Sequence, residues 1–165
     1  EPPECNAGGH ALAAPTSGPS GTTLLVVDDE AEVLRLEVRE LRAAGYEVLG
    51  AANASEALHL LNARGGAVDL LVTDVVMPGM NGIELATAVR WRYPEVGILF
   101  VSGHLDEDAT LNGPLPEHTE LLAKPFGPDE LTSRVREGLA RAHAASVERR
   151  RKQAGDVPVN ARADA

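Results

Sequence analysis

Asp28 and Asp29, Asp74, Ser102 and Lys124 each stand directly after a short apolar run. The runs are Leu24-Leu25-Val26-Val27, Leu70-Leu71-Val72 (followed by Thr73), Ile98-Leu99-Phe100-Val101 and Leu121-Leu122-Ala123. Runs of this length read as buried strands. In an open parallel sheet, ligands bind outside the carboxyl ends of the strands. Four strand ends would then bring three carboxylates, one hydroxyl and one ammonium to a single edge. That set suits a divalent cation and a phosphoryl group.

The charge balance argues for the cation. Three carboxylates held close together repel, at about 4 kcal/mol per pair 4 Å apart in an effective dielectric of ~20. One Lys124 does not cancel three negative charges. Magnesium is a hard ion that takes one or two carboxylates, water and phosphate oxygens. Asp74 is the better nucleophile, because it stands alone before a loop, and a carboxylate of ordinary pKa is already ionised at neutral pH. Phosphoryl transfer asks the protein mainly to position groups and neutralise charge on the equatorial oxygens. Lys124 and the Ser102 hydroxyl are suited to that task. Simpler roles exist for each piece. Asp28-Asp29-Glu30 also fits a helix cap, with Asp29 serving both purposes, and Asp74 before Pro78-Gly79 also fits an Asx turn. The joint pattern, four strand ends in order with the right residue types, favours the site.

The elements that would position these residues alternate between strand and helix. Strands are expected at Thr23–Val27, Glu47–Gly50, Asp69–Thr73, Gly97–Val101 and Glu120–Ala123. Helices are expected at Ala31–Ala44, stopped by Gly45, at Ser55–Ala63 capped by Asn53 or Ser55, and at Gly82–Tyr93, ended by Pro94. A last helix begins at Pro128 with Asp129 and Glu130 in its first turn. It lines Leu131, Val135 and Leu139 on one face and can extend into the Arg149–Lys152 run, with Gly155 and Pro158 as stops. Five strands alternating with helices imply a parallel α/β sheet with helices on both faces and right-handed crossovers. Residues 103–118 carry Gly103, Gly113, Pro114 and Pro116 and little periodicity, so a short helix over roughly Asp106–Leu111 or a mobile loop fits there equally well.

Composition narrows the class. The chain has 165 residues, 44% of them hydrophobic but only 3% aromatic, so the core must be Leu, Val, Ile and Ala. Residues 21–143 hold 20 acidic and 10 basic side chains, which accounts for the whole net charge of −10. An acidic body argues against nucleic-acid binding through the domain face. A single cysteine, Cys5, excludes an intrachain disulfide framework and a zinc-ligand cluster. No stretch is long enough to span a membrane, and no secretory signal is present. A cytoplasmic setting is expected. The organisation reads as a Pro/Gly/Ala/Ser-rich linker over 1–21, one domain over 22–143, and a basic, disordered tail over 144–165. The Arg149–Lys152 run reads as a solvated helix end. His59, His104 and His143 read as surface residues, and Trp91 and Tyr93 as packing residues.

Over Thr22–Arg141 the chain resembles the receiver domain of two-component response regulators. The resemblance rests on Leu-Val-Val-Asp28-Asp29-Glu30, Val-Thr-Asp74-Val-Val-Met-Pro78-Gly79-Met-Asn-Gly82, Val-Ser102-Gly103 and Lys124-Pro125-Phe126. It implies a flavodoxin-like, doubly wound, five-stranded parallel sheet of order 2-1-3-4-5 in which the fourth helix is short or disordered. It implies Asp74 as phosphoacceptor, Asp28, Asp29 and Asp74 as magnesium ligands together with the Val76 carbonyl, Ser102 as switch hydroxyl and Lys124 as the phosphoryl-contacting lysine. It also implies a cis Lys124–Pro125 bond, a histidine kinase or histidine phosphotransfer protein as partner, and a bacterial phosphorelay. Such a domain catalyses its own phosphorylation and dephosphorylation without being an enzyme in the ordinary sense.

Three departures stand out. Leu121 occupies a position where the family often has an aromatic. The 103–118 segment is broken by Pro and Gly. The C-terminal region is too short for an effector domain. The Ser102-Gly103-His104 wording and the Ala/Pro-rich lead-in also fit a receiver tethered behind a histidine kinase, and a stand-alone regulator fits as well. Two rival classes are a receiver-like interaction domain that takes no phosphate and an aspartate-nucleophile phosphohydrolase. The latter usually carries a second Asp two residues after the nucleophile, where this chain has Val76. An apolar Val76 also leaves no obvious side chain to orient water, so a persistent phosphoaspartate is expected.

Overall fold

The computed structural model describes residues 21–103, 115–116 and 119–155. The expected helix or loop over 106–111, His104 and the lead-in before Gly21 lie outside the described residues. Five strands form one parallel sheet: β1 (Thr23–Val27), β2 (Glu47–Ala51), β3 (Leu70–Asp74), β4 (Gly97–Ser102) and β5 (Glu120–Ala123), in the order β2-β1-β3-β4-β5. Among the described residues the helices are α1 (Ala31–Ala43), α2 (Ala54–Ala63), α3 (Gly82–Arg92) and α4 (Pro128–Gly155).

The period-two alternation of the strands divides the core into two layers. Leu25, Val27, Leu71, Ile98 and Phe100 point to one face and pack with Ala57 and Leu61 of α2 and Leu85 and Val89 of α3. Leu24, Val26, Leu70, Val72, Leu99 and Val101 point to the other and meet Leu41 of α1 and Leu131 and Val135 of α4. Because both faces are covered, every residue of β1 and β3 is buried, which explains their continuous apolar runs.

Local chemistry sets the helix ends. Asn81 and Glu84 form a reciprocal capping box at α3. Asn53 caps α2 by accepting from the Glu56 N–H at 2.8 Å. Gly45, at φ +98°, reverses the chain after α1, as its position past the last apolar turn requires. The start of α1 differs from expectation: its N-cap is Glu30, without a side-chain cap. Asp28, not Asp29, accepts the Glu30 N–H, at 2.8 Å.

Two other expectations are corrected. Residues 144–155 are helical rather than disordered and continue α4, in line with the expected extension into the Arg149–Lys152 run with Gly155 as a stop. The segment is held on the domain by Arg149, whose Nη2 donates to the Pro94 carbonyl at 2.7 Å and whose Nε lies 3.8 Å from Glu95, while Ser146 donates to Glu95. Lys152 and Glu148 add an i,i+4 pair at 3.2 Å. Arg149 is therefore not part of a purely solvated end. Trp91, expected to pack, is 88% exposed, because α3 turns that position away from both core layers. Tyr93 does pack, covering Gly66 and donating its hydroxyl to Asn62 at 2.8 Å. His59 and His143 are exposed. No helix among the described residues is long and apolar enough to cross a membrane.

Candidate functional site: an acidic pocket at the strand ends

Strand register brings the sequence-distant polar residues level. Val27 pairs with Thr73, Asp74 with Val101 and Ser102 with Ala123. The next residues after β1 and β5 are therefore Asp28 and Lys124, flanking Asp74 and Ser102. Asp28 N–H donates to Ala51 at 3.2 Å and Lys124 N–H to the Ser102 carbonyl at 2.7 Å, which continues the ladder one step past the strands. The Lys124–Pro125 bond is cis.

One carboxylate oxygen from each of Asp28, Asp29 and Asp74 lies within 4.8 Å of the others. Asp28 is 1% exposed, Asp74 8%, and Asp29 faces solvent. Lys124 Nζ donates to Asp28 Oδ2 at 2.8 Å and reaches Asp74 Oδ2 at 3.3 Å. The Val76 N–H contacts Asp74 Oδ1 at 3.3 Å. Asp28 and Asp74 thus accept backbone N–H groups two residues on, as Asx turns do, while their carboxylates still face the cluster. Ser102 is buried at the end of β4. Val76 is 54% exposed beside the pocket.

Electrostatics mark the cluster as short of positive charge. Burial raises the Asp74 carboxyl above its ordinary value; Lys124 opposes this, and Asp28 adds to it. Burial pulls the Lys124 ammonium down, but its hydrogen bond to Asp28 and the two carboxylates outweigh that and leave it raised. A further acid feels the same field. Glu37, on the inner face of α1, is 2% exposed and is raised to about 8, first by burial, then by Asp28. Its Oε1 has no hydrogen-bond partner. Sequence reading missed Glu37, although the signal was present: it lies three residues after Leu34 and four before Leu41, on the apolar stripe of α1. Gly82 was also missed as a site residue. A Cβ there would collide with the Asp74 carbonyl, so the loop can fold back under the aspartate only with glycine at that position.

Three convergent carboxylates with one ammonium among the facing groups form an all-oxygen, net-negative donor set, which fits a hard divalent cation rather than a soft one. A parallel five-stranded sheet of order 2-1-3-4-5 with acids and a lysine on its carboxyl edge defines a class of protein, and comparison with known chains agrees. Residues 24–136 match the response regulator receiver domain family, and the chain belongs to that family.

Over 117 residues the chain is 39% identical to the sensor kinase CckA of Brucella abortus, covering 71% of this chain and 12% of that one. It is 36% identical over 122 residues to the transcriptional regulatory protein YvrH of Bacillus subtilis, covering 73% of this chain and 50% of that one. The solved receiver domain of the hybrid histidine kinase CckA superposes with a TM-score of 0.59 at 35% identity, covering 71% of this chain and 98% of that one. The chain thus spans only about an eighth of the kinase and half of the regulator. It is a receiver domain of two-component signal transduction.

Proposed function

We propose that Asp74 is the phosphoacceptor of this receiver and that the donor is a phosphohistidine on a histidine kinase or phosphotransfer protein in the cytoplasm. The observation that carries this reading is the convergence of Asp28, Asp29 and Asp74 within 4.8 Å, with Lys124 reaching two of them. In the transfer, an Asp74 oxygen bonds to phosphorus while the bond from phosphorus to the donor imidazole nitrogen breaks, and the electron pair leaves with that nitrogen. Asp28, Asp29 and Asp74, with the Val76 carbonyl, would hold magnesium. The ion supplies neutralisation of charge on the transferring group. Lys124 serves as a second positive point for an equatorial oxygen, and Ser102 as a hydroxyl donor for a third.

The roles divide by burial. Asp28 is enclosed and tied to Lys124, so it orients rather than reacts. Asp74 is the acid whose chain neighbour Val76 opens to solvent, on the side from which a donor approaches. The domain comprises residues 22–143, and the remainder of α4 extends beyond it.

Intact mass of the chain after incubation with acetyl phosphate and magnesium tests the reading. One phosphoryl adduct is expected, absent in Asp74→Asn and absent when magnesium is withheld. An adduct that persists in Asp74→Asn would move the acceptor elsewhere. No adduct from acetyl phosphate or from a phosphorylated histidine kinase would favour an interaction domain that works without phosphate.

A further inference from the structure

The outer side of α3 carries a single stripe. Glu84, Thr87 and Trp91 face solvent and Ala88 is half-buried, at the i, i+3, i+4, i+7 spacing that keeps side chains on one helix face. Trp91, the chain's single tryptophan, is 88% exposed. Beside the stripe runs an open groove of about 640 Å³, walled by Leu58 and Asn62 of α2 and by Ile83, Thr87 and Ala88 of α3. An exposed indole next to apolar ground marks a surface that meets another molecule.

The two ends of the stripe bear opposite charges, and both border the groove. Glu84 stands in the first turn of α3, where its Oε2 accepts the Asn81 N–H at 2.9 Å, which fixes the carboxylate in place. Arg92 stands in the last turn, its guanidinium 5.7 Å from the centre of the Tyr93 ring. Eight residues apart on one helix, they are separated by about 12 Å along its axis and do not meet. Among the described residues neither forms an ion pair.

A stripe with an acid at one end and a base at the other is complementary to itself turned end for end. Consider a two-fold axis perpendicular to α3 and passing between Thr87 and Ala88. Residues equally far from that axis then face each other across it. Glu84 opposes the second copy's Trp91, and Thr87 opposes its Ala88. Arg92, the neighbour of Trp91, reaches the same Glu84. Both ion pairs form at once, because a two-fold contact repeats every pairing. The small Ala88 side chain lets the helices approach, and the antiparallel arrangement sets opposite dipole ends beside each other.

We infer that this face is the interface of a two-fold symmetric dimer, in which α3 packs antiparallel on α3 of a second copy. The Trp91 ring enters the second copy's groove among its Ile83, Glu84 and Thr87, and the indole N–H donates to the Glu84 carboxylate. The pairing uses the α2–α3 side of the sheet and leaves α1 and α4, on the other side, uncovered. One helix face and one groove lie at the small end of specific interfaces, so a Kd of roughly 10–100 µM is expected.

Sedimentation velocity of the full chain from roughly 5 µM to 1 mM, with Trp91 emission read on the same samples, tests this. Salt near ~0.15 M brings the Debye length to about 8 Å and screens the repulsion between two chains of net charge −10. A monomer–dimer equilibrium is expected, with emission moving to the blue as the dimer forms, because the single indole leaves water. Trp91→Ser should weaken association at least about tenfold, as loss of a central aromatic does. Glu84→Lys and Arg92→Glu should each weaken it several-fold, and the two combined should regain most of the loss. Circular dichroism checks the folding of each variant. A monomer up to roughly millimolar concentration, association without a change in Trp91 emission, or full association in Trp91→Ser would overturn the proposal. No recovery in the combined variant would overturn the antiparallel pairing.

Discussion

Gly82 packs directly against the backbone carbonyl of Asp74, leaving no space for a Cβ between them. Its N–H donates to the Val75 carbonyl at 2.9 Å, closing the loop from β3 to α3. The side chain that would take the phosphoryl group is thus aimed by a residue eight positions later. Gly82→Ala should push the Asp74–Val75 backbone away from residue 82 and lower unfolding free energy by about 1–3 kcal/mol, the scale of overpacking. Urea denaturation with magnesium-dependent phosphorylation as a second readout checks this. Unchanged stability and labelling would show that the loop has another way to close.

Lys124 is the cation that bridges the acids, at 2.8 Å from Asp28 and 3.3 Å from Asp74. Lys124→Ala should slow phosphorylation from acetyl phosphate by about a hundredfold, the scale on which one preorganised charge donor acts. Magnesium binding, followed by amide shifts, should persist, because the three carboxylates remain and a competing cation is gone. A wild-type labelling rate would remove Lys124 from the transfer step.

Glu37 makes a pH prediction. Its folded-state value of about 8 lies above the ordinary 4.5, chiefly through burial and then Asp28. Between these values the native state keeps a proton that the unfolded chain has released. Stability therefore falls as pH rises across that window and levels off above it. Asp74, also raised by burial, tilts the curve the same way without magnesium. Glu37→Gln should flatten the slope in metal-free urea denaturation, with the variant gaining up to a few kcal/mol on wild type at the alkaline end. Parallel curves for the two proteins would refute this account of the buried acid.

Val76 is apolar and half exposed beside Asp74, with its N–H on the aspartate. Lacking a side chain to orient water, the phosphoaspartate should persist for longer than seconds. Val76→Asn supplies an amide there and should shorten the lifetime several-fold, read as loss of the mass adduct after donor removal. A lifetime of seconds that the substitution leaves unchanged would count against this role.

Much of the fold was written in local patterns. The unbroken apolar runs of β1, β3 and β4 announced strands buried on both faces, and the helix expected from Gly82 does begin there, behind the Asn81–Glu84 capping box. The polar residue ending each run named the chemistry, since three acids and a lysine after strands suit few tasks. Leu34, Val38 and Leu41 of α1 pack inward as an apolar stripe, yet Glu37 between them went unread. A charged residue on an apolar stripe is ambiguous until burial is known.

Other features were decided only by the packed chain. Trp91 looked like core and is exposed, because amphipathic pattern does not say how far a helix is rotated on its sheet. The helix extension to Gly155 was legible, but its docking was not: Arg149 and Ser146 find partners at Pro94 and Glu95 more than fifty residues away. The two acids and the lysine at its centre illustrate the division best. Residue type after a strand is local information and is legible along the chain. That Lys124 meets Asp28 across 96 residues, at 2.8 Å, depends on strand order and register. Those arise from burying both faces of one sheet at once, which is a property of the whole chain.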